Sequence, residues 1–172
     1  PIAAAVSFLH GNREAVGDHV LTVDFGGGTL DFCILRRIRG GSFGSQFQVM
    51  ATHGISLGGD HIDRRIFREL LFPLFGKGER WKRRGEDRDI ETLFPFEDYE
   101  DLLLNWAVTY LLNQNKYTTP VLDCIHQDGP AKFKFRRLRE LIQHNYGYFV
   151  FQAIKSFKAE LSSSEVAVLD IP

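Results

Sequence analysis

Two strand-like runs separated by three consecutive glycines constrain this chain more than any other feature: Val20-Leu21-Thr22-Val23-Asp24-Phe25, then Gly26-Gly27-Gly28, then Thr29-Leu30-Asp31-Phe32-Cys33-Ile34-Leu35. β-Branched and apolar residues on both sides of a glycine break predict a hairpin of buried strands. A second glycine-rich break over 39–45 precedes 47–52, which reads as a third antiparallel strand and completes a β-meander. Asp60 is placed to cap a helix whose apolar positions Ile62, Ile66, Phe67, Leu70 and Leu71 recur at three-to-four spacing until Pro73 ends or kinks it. Residues 76–88 bear glycines and many charges and read as a surface loop. Beyond them the pattern predicts a helix over 98–112, a polar connection broken by Pro120 and Pro130 over 113–130, helices over 133–144 and 149–161, and a closing strand over 165–171. The predicted fold class is α/β in the mixed α+β sense. Residues 1–75 read as the core and 76–172 as a helical subdomain with a terminal strand.

Composition narrows the function. A chain of 172 residues, 44% apolar and 25% charged, buries enough surface for a real core and is not a disordered or low-complexity segment. The net charge of -1 argues against a general nucleic-acid or anionic-membrane binder. The basic runs Arg80-Trp81-Lys82-Arg83-Arg84 and Lys132-Phe133-Lys134-Phe135-Arg136-Arg137 are offset by Glu97-Asp98-Tyr99-Glu100-Asp101, so no nucleic-acid partner is expected. Cys33 and Cys124 form no C-x-x-C pair, and the six histidines show no zinc-hydrolase pattern. Apolar runs fall short of the ~18–20 residues that cross a bilayer and no export signal is visible, so a reducing cytoplasm without membrane contact is the expected setting. The chain begins at Pro1 and its one Met is Met50, so the sequence is expected to be a piece of a longer protein.

Three glycines between buried strands weaken those strands and need a reason. A tight turn whose N–H groups face phosphate oxygens, with no Cβ to block their approach, is one. Asp24 and Asp31 flank the turn, and two carboxylates beside a phosphate cradle suit Mg²⁺ held through its waters. The Thr29 hydroxyl is placed to reach a terminal phosphate or orient an attacking water. The plain alternative is an ordinary glycine-rich hairpin with two solvated acids. Ser162-Ser163-Ser164 has no local base and is no nucleophile.

Asp24-Phe25-Gly26-Gly27-Gly28-Thr29-Leu30-Asp31 resembles the second phosphate motif of the actin-like ATPase superfamily, in the form found in DnaK-type (heat-shock protein 70) chaperones. Three collinear segments add to it. Pro1-Ile2-Ala3-Ala4-Ala5 resembles the family's E-P-x-A-A-A, residues 53–63 resemble G-x-x-x-L-G-G-x-x-F-D, and Lys158-Ala159-Glu160-Leu161-Ser162-Ser163-Ser164 resembles K-x-x-L-S-S-S on the adenosine-side helix.

The resemblance implies one lobe of an actin-like, ribonuclease H-like ATPase, binding ATP or ADP with Mg²⁺. It implies phosphate contacts from Gly26, Gly27, Gly28 and Thr29, close approach at Gly58 and Gly59, and catalytic and metal roles for Asp24 and Asp31 acting through water. Lys155, Lys158 and Ser162 fall on one helix face and would meet the sugar or base. The family usually has Glu at Lys155, Arg at Ala159 and an acid at His61. The first phosphate hairpin, the last adenosine motif and the peptide-binding region have no match here, so the lobe alone is expected to hydrolyse little, and unfolded proteins or co-chaperones would bind elsewhere. The alternatives are a non-catalytic nucleotide-sensing or interaction module and a sugar-kinase-like phosphotransferase of the same superfamily.

Overall fold

The computed structural model describes residues 2–11, 17–38, 46–83 and 90–171. The predicted glycine break at 39–45, Pro1 and the charged residues 84–88 lie outside the described residues. The chain forms two compact units, Pro1–Ile62 and Asp63–Pro172, and mixes helix and sheet.

In the first unit, helix α1 (Ile2–Gly11) precedes strands β1 (His19–Phe25), β2 (Leu30–Ile38) and β3 (Gln46–Ile55), which form an antiparallel sheet in the order β1-β2-β3. This is the expected meander, with β3 three residues longer at its end than its apolar run, and with a register shift between Ile34 and Leu35. Ala5 and Leu9 of α1 bury against Cys33 and Leu35, with Val6, Val20 and Phe47 around them. The expected hairpin of buried strands is only partly buried. Side chains alternate across a strand, and the face carrying Leu21, Val23 and Phe25 stays 53–61% exposed because the apolar cover of this unit lies on the other side.

Helix α2 (Gly59–Ile66) holds Asp60 in its first turn instead of at the cap position. The helical path then loosens into a π turn over Phe67–Leu71, closed by the Phe72 N–H donating to the Phe67 carbonyl, and tightens into a 3₁₀ turn over Phe72–Phe75. Pro73, with no N–H to donate, is the local cause. Gly76 ends the run at a φ of 99°, where a Cβ would also strike the Phe135 ring at 2.7 Å.

The second unit corrects several expectations. The predicted loop contains a hairpin, β4 (Arg80–Arg83) with β5 (Ile90–Leu93), whose Trp81 packs edge-on to Phe94. The predicted helix 98–112 is shorter, α3 (Glu97–Leu103), followed by a 3₁₀ turn over Thr109–Asn113. The fully buried Thr109 hydroxyl donates to the Leu102 and Asn105 carbonyls, which ends α3 and turns the chain. The predicted connection is largely helix α4 (Asn115–His126), hidden by its polar residues and Pro120 although Val121, Cys124 and Ile125 give it a buried stripe. Helices α5 (Lys132–Gln143) and α6 (Gly147–Glu160) match expectation within two residues. Residues 165–171 form no strand among the described residues. Their alternation is real, since Val166 and Val168 are 78% exposed while Leu169 and Ile171 rest on the core, but no neighbouring strand pairs with them.

The core of this unit is aromatic. Phe67, Phe72, Phe94, Phe96, Tyr99 and Phe135 are all at most 2% exposed, and Phe94 stands 4.8 Å from Phe135 and 5.2 Å from Tyr99 between ring centres. Residues 63–75 belong to this unit, which therefore starts earlier than the motif-based division after residue 75.

Candidate functional site

The glycine turn joins β1 to β2 and is closed by the Gly26 N–H donating to the Thr29 carbonyl at 2.8 Å. Gly27 and Gly28 form its tip. Among the described glycines only Gly76 and Gly78 adopt a positive φ, and a Cβ built on Gly27 or Gly28 meets nothing within 4 Å. Neither backbone conformation nor crowding within the chain calls for glycine at the tip.

The second glycine segment sits against this tip. The Gly59 N–H donates to the Gly26 carbonyl at 3.0 Å and the Asp60 N–H to the Gly27 carbonyl at 2.7 Å, so the amino end of α2 is tied to the turn. Gly58 is buried, and a Cβ there would lie 2.6 Å from the Gly27 carbonyl carbon and 2.7 Å from that of Gly28. Its glycine is thus accounted for by the hairpin itself. Residues 26–29 and 58–60, far apart in sequence, form one surface.

Asp24 and Asp31 are direct cross-strand partners in the β1–β2 register. Like charges placed opposite each other on a sheet destabilise it, so the pair gains from a cation between or beside them. The Thr29 hydroxyl donates to Asp31 Oδ2 at 2.8 Å, which orients that carboxylate along the turn. Across the sheet Asp31 also pairs with Gly54, where a Cβ would sit 2.5 Å from Asp31 Oδ1. Gly54 therefore clears room for the carboxylate. Gly54 lies inside the 53–63 motif with no role evident from sequence; a lone glycine beside the end of a strand is the signal available.

No group of three or more His, Cys, Asp or Glu side chains comes together among the described residues. A metal fully ligated by side chains does not fit this donor set. A hard cation that keeps most of its water and is steadied by two carboxylates does, and Mg²⁺ is such an ion.

The remaining predicted residues lie on α6 or just past it, in the second unit. Lys155 is exposed. Lys158 is engaged: its ammonium lies 2.5 Å from Oδ1 of Asp63, a side chain only 2% exposed. The Ser162 hydroxyl donates to the Lys158 carbonyl at 3.3 Å. Asp63 closes the G-x-x-x-L-G-G-x-x-F-D segment, and an acid beside Ile62, Ile66 and Phe67 on the apolar stripe of the helix asks for a partner.

The first unit thus combines a helix, an antiparallel meander, an open glycine tip and a cross-strand pair of aspartates. The model of the family described as Hsp70 protein matches residues 1–93, more than half of the chain, and the chain belongs to that family. Curated relatives include a chaperone protein HscA homolog of Laribacter hongkongensis, 47% identical over 72 residues, and one of Methylobacillus flagellatus, 43% identical over 72. Heat shock 70 kDa protein BIP3 of Oryza sativa subsp. japonica is 39% identical over 72 residues. Each match covers 41% of this chain and 10% of the relative, so the chain spans only a small part of the length of the curated relatives it matches. The family match takes in the hairpin, α2 and the β4–β5 hairpin, and ends before α4, α5 and α6. Among the described residues no helix is long and apolar enough to cross a membrane.

Proposed function

We propose that the chain is one lobe of an actin-like nucleotide-binding domain, in an Hsp70-type chaperone that binds and hydrolyses ATP. The observation that carries this reading is the glycine tip: Gly27 and Gly28 have open space above them and no need of glycine from the fold, as a turn that receives phosphate oxygens requires. Gly26, Gly27, Gly28 and Thr29 would present N–H groups to the phosphates. Thr29 would hold Asp31, and Gly54 would leave that carboxylate its room, so that Asp24 and Asp31 face the phosphate end together. When bound, Mg²⁺ would supply neutralisation of phosphate charge, with these two aspartates holding its water shell. Gly58 and Gly59 keep the turn in place from behind. Lys155, Lys158 and Ser162 are the proposed adenosine-side residues.

Hydrolysis of this kind depends on donors positioned on both sides of the phosphates, and one lobe supplies one side. The isolated chain is therefore expected to bind nucleotide weakly and hydrolyse little, while the full-length protein would couple closure to a protein client. Calorimetric titration of the full-length protein with ATP and Mg²⁺ tests this, with Asp24→Asn as control. Heat from a single site, weakened about tenfold or more in the variant, supports the reading, since losing one of two carboxylates removes half of the charge that steadies the ion. No heat in the wild type overturns it. A second reading, a nucleotide-sensing module without catalysis, is favoured by the cation at Lys155 and the small Ala159; binding without any turnover in the full-length protein selects it.

A further inference from the structure

We propose that the exposed aromatic surface at the start of α6, with the cavity beside it, binds an extended proline-rich peptide segment that carries a basic residue. The surface belongs to the second unit, beyond the residues 1–93 that the family model matches, and the inference does not depend on the nucleotide reading.

The turn between α5 and α6 builds this surface. Asn145 sits at a φ of 54°, a left-handed position that asparagine tolerates better than most residues, and the Tyr146 N–H donates back to the Leu141 carbonyl at 3.0 Å. This closure leaves His144 and Tyr146 exposed and stacked, 5.3 Å apart between ring centres at 27°. Gly147 follows, and a Cβ there would lie 2.8 Å from Thr109 Oγ1, so glycine lets α6 start directly against the segment that carries Trp106 and Thr109. Tyr148 thereby meets Trp106 edge-on at 5.4 Å, and Phe149 links Tyr148 at 5.8 Å to Tyr146 at 6.2 Å. Trp106, Tyr146, Tyr148 and Phe149 are 42–56% exposed, so this run of rings is a surface and not core packing.

Chemistry selects the occupant. Ring planes that cross at 72–74° leave slots about one ring wide, which suit the flat, apolar ring of proline. A polyproline II segment makes no hydrogen bonds of its own, so its carbonyls are open to donors. Among the described residues the Tyr146 and Tyr148 hydroxyls and the Trp106 indole N–H take no internal hydrogen bond and can serve as those donors. Tyr146 and Phe149 also wall a cavity of about 730 Å³ with Leu74, Phe75, Leu141 and Val150. Glu140 and Asp170 line it against a single guanidinium, Arg137, and none of the three takes an ion pair among the described residues. The carboxylates outnumber the cation, so a lysine or arginine beside the prolines is favoured. A nucleic-acid strand also stacks on rings, but it needs a cationic groove that this cavity does not offer. Each ring leans on a neighbour before any peptide arrives, so little side-chain freedom is lost on binding.

The test is fluorescence anisotropy on the full-length protein with a labelled synthetic peptide that repeats proline at every third position and carries one arginine. Companion peptides replace the prolines by alanine or the arginine by glutamate. The parent peptide should bind saturably, and each companion should bind about tenfold weaker or worse. Trp106→Ala and Phe149→Ala should each weaken the parent peptide by about tenfold, as central aromatic contacts do, whereas Phe133→Ala, about 16 Å along α5 from His144, should leave it unchanged. Glu140→Lys should reduce the preference for arginine over glutamate. The substituted side chains are all exposed, so the urea midpoints, measured alongside, should stay at the wild-type value. Should Phe149→Ala fail to fold, the three peptides on wild type and on Glu140→Lys decide alone, an unchanged preference overturning the proposal. No binding of the parent peptide, or affinity indifferent to its prolines or to Phe149, overturns it. So does a neutral glucan oligosaccharide that binds through Trp106 where the peptide does not, which would assign the rings to sugar. Self-association lost in Phe149→Ala without peptide binding would assign them to a second copy of the chain and overturn it as well.

Discussion

Glycines that look alike in the sequence do opposite things in the structure. Gly58 is confined by backbone, with Gly27 and Gly28 carbonyl carbons at 2.6 and 2.7 Å from where its Cβ would be, and backbone cannot swing aside as a side-chain tip can. Gly28 has open space. Gly58→Ala should therefore destabilise the first unit by about 1–3 kcal/mol, the usual cost of overpacking, read as a lower urea midpoint with an unchanged slope. Gly28→Ala should stay within a few tenths of a kcal/mol of wild type, because the methyl meets nothing and glycine's extra freedom in the unfolded chain is removed. The same Gly28→Ala variant should lose ATP affinity if phosphate oxygens occupy that space. The glycines at 26–28 are legible as a turn because the chemistry of a turn is local. The distinct work of Gly54 and Gly58 is not, since each answers to a residue brought near only by the sheet and the helix.

At the scale of elements, legibility followed the origin of the stabilisation. The strands β1, β2 and β3 and helices α5 and α6 carry their own periodic apolar stripes, so pattern alone found them. Strand β4 does not. Its Arg80-Trp81-Lys82-Arg83 reads as a solvated run, yet Gln127 at the end of α4 accepts a hydrogen bond from the Lys82 N–H at 3.0 Å and donates one to the Lys82 carbonyl at 2.6 Å. A side-chain amide thus imitates a neighbouring strand and finishes the edge of the hairpin. Gln127→Ala should speed hydrogen exchange at the Lys82 amide about tenfold and leave the global midpoint nearly unchanged, because water takes over the freed groups of an exposed strand. An unaltered exchange rate would show that β5 alone sustains the strand. The closing segment 165–171 teaches the complementary lesson: alternation reports which side chains face the core, whereas a strand also needs a partner ladder.

The whole molecule divides after Ile62 because the sequence-continuous run from Asp63 to Phe75 commits its aromatic residues to the helical unit, a choice that composition along the chain does not announce. That unit concentrates two neutral acids in its interior. Burial pushes the Cys124 thiol up to about 12, with the nearby Asp123 carboxylate adding to the effect. Burial also raises the Tyr99 phenol well above its usual range, and its hydroxyl donates to the Tyr117 carbonyl at 2.7 Å. Both groups stay protonated in the folded state after the unfolded chain has begun to lose its protons, near ~8.5 for a thiol and ~10 for a phenol. The unfolded state then binds fewer protons than the native one, so stability must fall as pH rises. It should be unaffected by these groups below pH ~8, decline first through the thiol and then, above pH ~10, through the phenol as well. Cys124→Ala separates the two. The variant gives up about 1 kcal/mol of packing at pH 7 but should recover on the order of 1 kcal/mol relative to wild type by pH 10, after allowance for solvent screening. Urea midpoints for both proteins at pH 7 and pH 10 decide it: a gap that narrows or reverses with pH places the alkaline weakness at Cys124, and a constant gap removes the thiol from the account.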